Sequence, residues 1–86
     1  MDRVNIVIPA IELNDELLKC LRKINKINYS NFFVTIILDR DLKNKLPKLR
    51  YKINKLIVGK INMSKKRNIA VKKFKSKYIS FIDSDA

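Results

Sequence analysis

Apolar residues recur along this chain with two periods that alternate. Val4-Asn5-Ile6-Val7-Ile8 is a β-branched run, and Pro9, which cannot donate to a central ladder, is expected to close it. It predicts a buried strand over 4–8. Helical spacing follows: Leu17, Leu18, Leu21 and Ile24 fall on one face, with Lys19, Arg22, Lys23 and Lys26 on the other. Asn14 suits the N-cap, and Asp15 and Glu16 suit the positive end of a helix dipole, so this helix begins near Asn14. Leu13, just before the cap, can pack on Leu18. Cys20 lies beside the apolar stripe and reads as small core filler. Residues 28–31 break the helix. The run from Phe32 to Leu38 is apolar on both faces apart from Thr35 and predicts a second buried strand, ending in Asp39-Arg40-Asp41.

Beyond it the pattern weakens and then recovers. Over 42–54, Leu42, Leu46 and Leu49 could share a helical face, but Pro47 limits this to a short or kinked helix. Lys55-Leu56-Ile57-Val58 predicts a third strand closed by Gly59, the chain's one glycine. Ser64 can cap a further helix whose apolar positions include Ile69, Ala70 and Phe74. A turn over 75–77 leads to a fourth strand over 78–82, which runs into Asp83-Ser84-Asp85. Four apolar strands separated by helical segments imply an α/β fold, a parallel sheet with helices on both faces. Right-handed crossovers then bring every strand's C-terminal end to one rim, where such sheets bind ligands. Pro9, Asp39, Gly59 and residues 83–85 would line that rim.

Composition narrows the chemistry. Eighty-six residues allow one domain, and 47% hydrophobic content is too much for a disordered basic tail. A single cysteine excludes an internal disulfide framework. No histidine and only one cysteine exclude a typical structural zinc site, and the lack of histidine also excludes Ser-His or Cys-His catalysis. No apolar run approaches the roughly 20 residues of a membrane span, and the first residues do not read as a signal peptide. A reduced, cytoplasmic chain is expected. Lys plus Arg is 20 against 8 Asp plus Glu, a formal charge of +12. Such an excess points to a polyanion, either nucleic acid or an anionic membrane surface. Yet Lys, Ile and Asn share A/T-rich codons, so a generically basic surface is the more economical reading.

The few acids are placed more tellingly. Asp39, Asp41, Asp83 and Asp85 all follow strands and fall on the expected rim. Turn preference alone accounts for one such pair comfortably and two pairs poorly. Lys65, Lys66 and Arg67 occupy a helix start, where the dipole disfavours each cation by about 0.3–1 kcal/mol. Either Lys65 and Lys66 extend into water, or an anion sits among them. Arg67-Asn68 adds a planar guanidinium and an amide. Acidic pairs beside a basic helix start describe a metal–diphosphate site, with carboxylates holding a divalent cation and Arg and metal neutralising phosphate.

These residues carry a resemblance. Val4-Asn5-Ile6-Val7-Ile8-Pro9 resembles the opening strand of family 2 glycosyltransferases, which have the GT-A fold. Leu18-Lys19-Cys20-Leu21 and Ile36-Ile37-Leu38-Asp39 are similar to later family segments. The stretches over 64–70 and 77–85 look like the family's Arg-Asn segment followed by its strand and D-x-D signature. The resemblance implies a Rossmann-like sheet of strand order 3-2-1-4 and the N-terminal, nucleotide-sugar-binding part of a transferase domain. In that part Asp39 would hydrogen-bond the nucleotide base and Arg67 would lie near base and diphosphate. Pro9 and Ala10 would form the floor beneath the base. Asp83 would face ribose and metal, and Asp85 would ligate Mg2+ or Mn2+ directly. Donors would be UDP- or GDP-type sugars, the acceptor a glycan or lipid-linked saccharide, and transfer inverting and metal-dependent. The family pattern often has an aromatic residue at Ile11, Asn at Glu12 and a second Asp at Arg40. Its acceptor site and catalytic base come after the D-x-D segment, so the domain over 1–86 reads as truncated and is expected to transfer no sugar alone. The strand over 78–82 would then keep an open edge at Ile79, Phe81 and Ile82, which favours self-association.

Two rivals from other classes remain. A small basic module could bind nucleic acid or another polyanion without chemistry, but the chain has no aromatic RNA-recognition motif, GXXG loop or zinc-knuckle cysteines, so no specific nucleic-acid partner is expected. A doubly wound signalling domain would need an acceptor Asp where Gly59 stands.

Overall fold

The computed structural model describes residues 3–29, 31–41 and 46–83. The elements run β1 (Val4–Ala10), α1 (Asp15–Ile24), β2 (Phe32–Leu38), β3 (Ile53–Ile57), α2 (Met63–Lys73) and β4 (Tyr78–Phe81). The strands form one sheet in the order β3-β2-β1-β4, with every pairing parallel. This is the α/β, Rossmann-like arrangement of order 3-2-1-4 expected above.

Strand alternation divides the core into two layers. Ile6, Ile8, Val34, Ile36 and Leu38 face α1 and pack with Leu17, Leu21 and Ile24, which are 0–3% exposed. Each of these three side chains contributes about 1.5–3 kcal/mol by leaving water. Val7 and Ile37 face the other way, onto Ala70 of α2. Cys20 is half-buried against the first layer, as expected of a filler, and burial pushes its thiol pKa up. Tyr51 also packs there and donates to the Leu21 carbonyl at 2.6 Å, tying the segment before β3 to α1. Burial is the main reason its phenol pKa rises well above the usual value. On the α2 side the sheet carries a polar pair. Thr35 Oγ1 donates to Asn5 Oδ1 at 2.8 Å, and Asn5 Nδ2 donates to the Phe74 carbonyl at 3.0 Å, so both buried polar side chains are satisfied.

Several boundaries differ from the sequence reading. β1 does not stop at Pro9 but continues to Ala10, paired with β2 throughout. Val4 N donates to Asn31 on the β2 side, whereas Val7 O accepts from Ile82 on the β4 side. Pro9 therefore faces β4, beyond the last pair Val7↔Phe81, and its missing N–H interrupts no ladder. β3 starts at Ile53, two residues before the expected start, and stops before Val58. The described residues 46–52 are not helical. α2 is capped by Asn62, whose side chain accepts from Lys65 N at 2.8 Å, rather than by Ser64. Within α2 the buried positions are Lys66 and Ala70, while Ile69 is exposed. β4 ends at Phe81 and leaves Tyr78, Ile79 and Phe81 exposed at the sheet edge. No described helix is long and apolar enough to cross a membrane.

Candidate functional site

The C-terminal rim gathers the expected residues into two clusters beside one cavity. The first is built where β1 and β2 end. Asp39 N and Arg40 N both donate to Ile11 O, at 2.9 and 3.2 Å, and Gly59 N donates to Asp39 O at 3.1 Å. Gly59 makes this contact at φ +79°, a left-handed backbone that other residues rarely adopt. Lys66 enters from the first turn of α2. Its side chain is 2% exposed, its ammonium donates to the Ala10 carbonyl at 3.0 Å, and it forms an ion pair with Asp39 Oδ1. Of the two readings for Lys65 and Lys66, neither fits Lys66, which is directed inward and neutralises a carboxylate of its own chain. Lys65 is exposed.

The second cluster lies between α2 and the end of β4. Arg67 Nη2 donates to Asp83 Oδ1 at 3.3 Å, and the guanidinium carbon sits 5.5 Å from the centre of the Phe81 ring. The residues expected on either side of the Arg-Asn to D-x-D interval are thus in contact. Asp83 remains 61% exposed, so its carboxylate keeps access to solvent and ligand.

A cavity of about 180 Å3 lies on this rim, with Pro9, Ala10, Ile11, Glu16, Met63 and Asp83 in its wall. Pro9, Ala10 and Asp83 therefore share one concavity. Asp39 and Arg67 are not in the wall. Asp39 connects to it through Lys66 and the Ala10 carbonyl, and Arg67 through Asp83. Glu16 and Met63 belong to the site's surroundings, although the sequence reading assigned neither to it, and Lys66, expected there only as part of a basic helix start, holds Asp39 instead. Two further ion pairs lie near this rim: Arg40 Nε donates to Glu12 at 2.9 Å, and Lys55 pairs with Asp41 at 3.0 Å. The hydrogen bond to Glu12, and then its charge, raise the Arg40 pKa.

Asp85 lies outside the described residues. Among the described residues no group of three or more His, Cys, Asp or Glu could hold a metal by themselves. Mg2+ usually takes only one or two carboxylates and completes its shell with substrate phosphates and water, and an exposed Asp83 fits that pattern.

No family model matches the chain, and no curated protein matches it. Among solved structures, the crystal structure of S. aureus TarS superposes with a TM-score of 0.74 at 22% identity. The match covers 96% of this chain and 16% of TarS, so the chain spans a small part of that protein's length. The likeness shows that the two chains share an α/β fold over this region.

Proposed function

We propose that this chain is the donor-binding half of an inverting, metal-dependent glycosyltransferase of family 2 type, with the GT-A fold. TarS is a glycosyltransferase, and the shared fold supports glycosyl transfer as the general activity. The observation that carries the reading is the Arg67–Asp83 contact at 3.3 Å, whose Asp83 lines the same cavity as Pro9 and Ala10. It sets a bidentate cation next to a solvent-accessible carboxylate, the pair of charges that a metal-bound diphosphate needs.

In this reading the base rests on Pro9 and Ala10, and Asp39, held by Lys66 just outside the cavity wall, is the acceptor proposed for its edge. Arg67 faces the diphosphate. Asp83 and Asp85 would hold Mg2+ or Mn2+, which when bound would stabilise the leaving nucleoside diphosphate. The donor is a UDP- or GDP-sugar, the acceptor a glycan or lipid-linked saccharide, and the setting cytoplasmic. The base that activates the acceptor hydroxyl is assigned to no residue of this chain.

Isothermal titration with UDP and GDP, with and without Mn2+ or Mg2+, tests the proposal. One nucleotide should bind in a metal-dependent way, and Asp83→Asn should weaken it by at least about tenfold, the usual scale of a lost charge-assisted contact. Metal-independent binding, or affinity unchanged in Asp83→Asn, would sink the assignment. A polyanion-binding module would instead show salt-sensitive oligonucleotide binding indifferent to Asp83.

A further inference from the structure

The parallel topology sorts charge as well as ligand residues. Strands end and helices begin at one rim, while strands begin and helices end at the other. Every described carboxylate (Glu12, Asp15, Glu16, Asp39, Asp41, Asp83) lies in the first turn of α1 or in a segment that follows β1, β2 or β4. The ion pairs formed between described residues, involving Glu12, Asp41, Asp39 and Asp83, draw on those same carboxylates. The opposite rim carries Arg3 ahead of β1, Lys52 ahead of β3, Lys75 ahead of β4, and Arg22, Lys23 and Lys73 in the last helical turns. No described residue of that rim is acidic.

Arg3, Lys52, Lys73 and Lys75 converge on an open cavity of about 320 Å3, together with Asn54, Phe33 and Phe74. Arg3 lies 4.9 Å from the centre of the Phe33 ring, which holds its guanidinium at the cavity mouth. Helix dipoles account for Arg22, Lys23 and Lys73, which complement helix C-termini. They do not account for Arg3, Lys52 and Lys75, which precede strands. A codon-driven excess of lysine would spread over both rims and gives no reason for four cations to share one concavity that no described carboxylate lines.

We infer that this rim docks on an anionic phospholipid surface. Exposed Ile27 and Tyr29 follow α1, where they line a second cavity with Arg50, and exposed Tyr78 opens β4, so apolar and aromatic side chains lie on the same rim as the cations. Lys and Arg with interfacial Tyr and aliphatic groups are the chemistry of a headgroup layer. Ile27 favours lipid over nucleic acid, because an aliphatic side chain can enter the acyl boundary but offers no face for a base to stack on. Docked this way, the candidate nucleotide site faces away from the bilayer into water. The inference does not depend on the proposed function, since lipid binding reads the opposite rim.

The test is sedimentation of the 86-residue chain with vesicles of phosphatidylcholine, with and without phosphatidylglycerol. Two double variants of equal charge separate position from net charge: Lys52→Gln with Lys75→Gln, and Lys19→Gln with Lys60→Gln. Circular dichroism checks that both are folded. Binding should require phosphatidylglycerol and weaken with salt. The Lys52/Lys75 variant should lose about tenfold or more in partitioning, and the Lys19/Lys60 variant should stay within about twofold. Ile27→Ser should weaken vesicle binding and leave binding to single-stranded RNA unchanged. Equal losses in the two double variants, no preference for anionic vesicles, or RNA binding tighter than vesicle binding at the same salt would overturn the inference.

Discussion

Lys66→Ala is expected to lower folding stability by about 3 kcal/mol, measured by denaturant unfolding followed by circular dichroism. The reason is the state it leaves behind. Lys66 is 2% exposed and neutralises Asp39, whose own side chain is only 17% exposed. Removing one partner of a buried ion pair costs roughly 3–5 kcal/mol, because the other charge stays in a poorly hydrated place. Some water can still reach Asp39, which sets the lower end of that range. The Ala10 carbonyl also loses its donor. Asp39→Asn added to Lys66→Ala should therefore recover part of the loss. If the single variant were as stable as the parent, Lys66 would lie in solvent and the first cluster would not exist.

Arg67→Lys should lower metal-dependent nucleotide affinity by at least about tenfold, whereas Lys65→Gln should change it by about twofold or less. A lysine keeps the charge of Arg67 but loses the planar fork that can reach Asp83 and a phosphate together. It also loses the flat face that lies over Phe81. Lys65 is exposed at the same helix start and makes no such contacts among the described residues. Calorimetry on the two variants reads the difference. Equal losses at both positions would mean a diffuse cationic patch instead of a built site.

Much of the scaffold was legible because its signals are local. The run from Phe32 to Leu38 became a strand buried along its whole length, and Asn14 caps α1 by accepting from Leu17 N at 2.9 Å. The Arg67–Asp83 contact was approachable from spacing, since a helix and a parallel strand bring those two positions to one rim. Other features depend on tertiary context. Asn62 and Ser64 are comparable caps two residues apart, and nothing local decides between them. Of the expected apolar positions of α2, Ala70 is buried and Ile69 is exposed, and Lys66, one turn before Ala70, shares the buried face instead. A fully buried lysine is rare, and its partners Ala10 and Asp39 are distant in sequence, so no window around Lys66 could reveal it. The charge division between rims was likewise hidden, because lysines spread evenly along the chain are sorted only once helices and strands alternate in direction.

The C-terminal rim should bind a metal-bound nucleoside diphosphate. Chemical-shift mapping by 1H–15N NMR, titrating UDP and GDP in the presence of Mg2+, tests it most directly. Amide shifts should concentrate at Ala10, Ile11, Asp39, Arg67 and Asp83 for one of the two nucleotides and collapse when the metal is chelated. Shifts centred on Arg3, Lys52 and Lys75, or shifts at the rim residues that persist without metal, would contradict it.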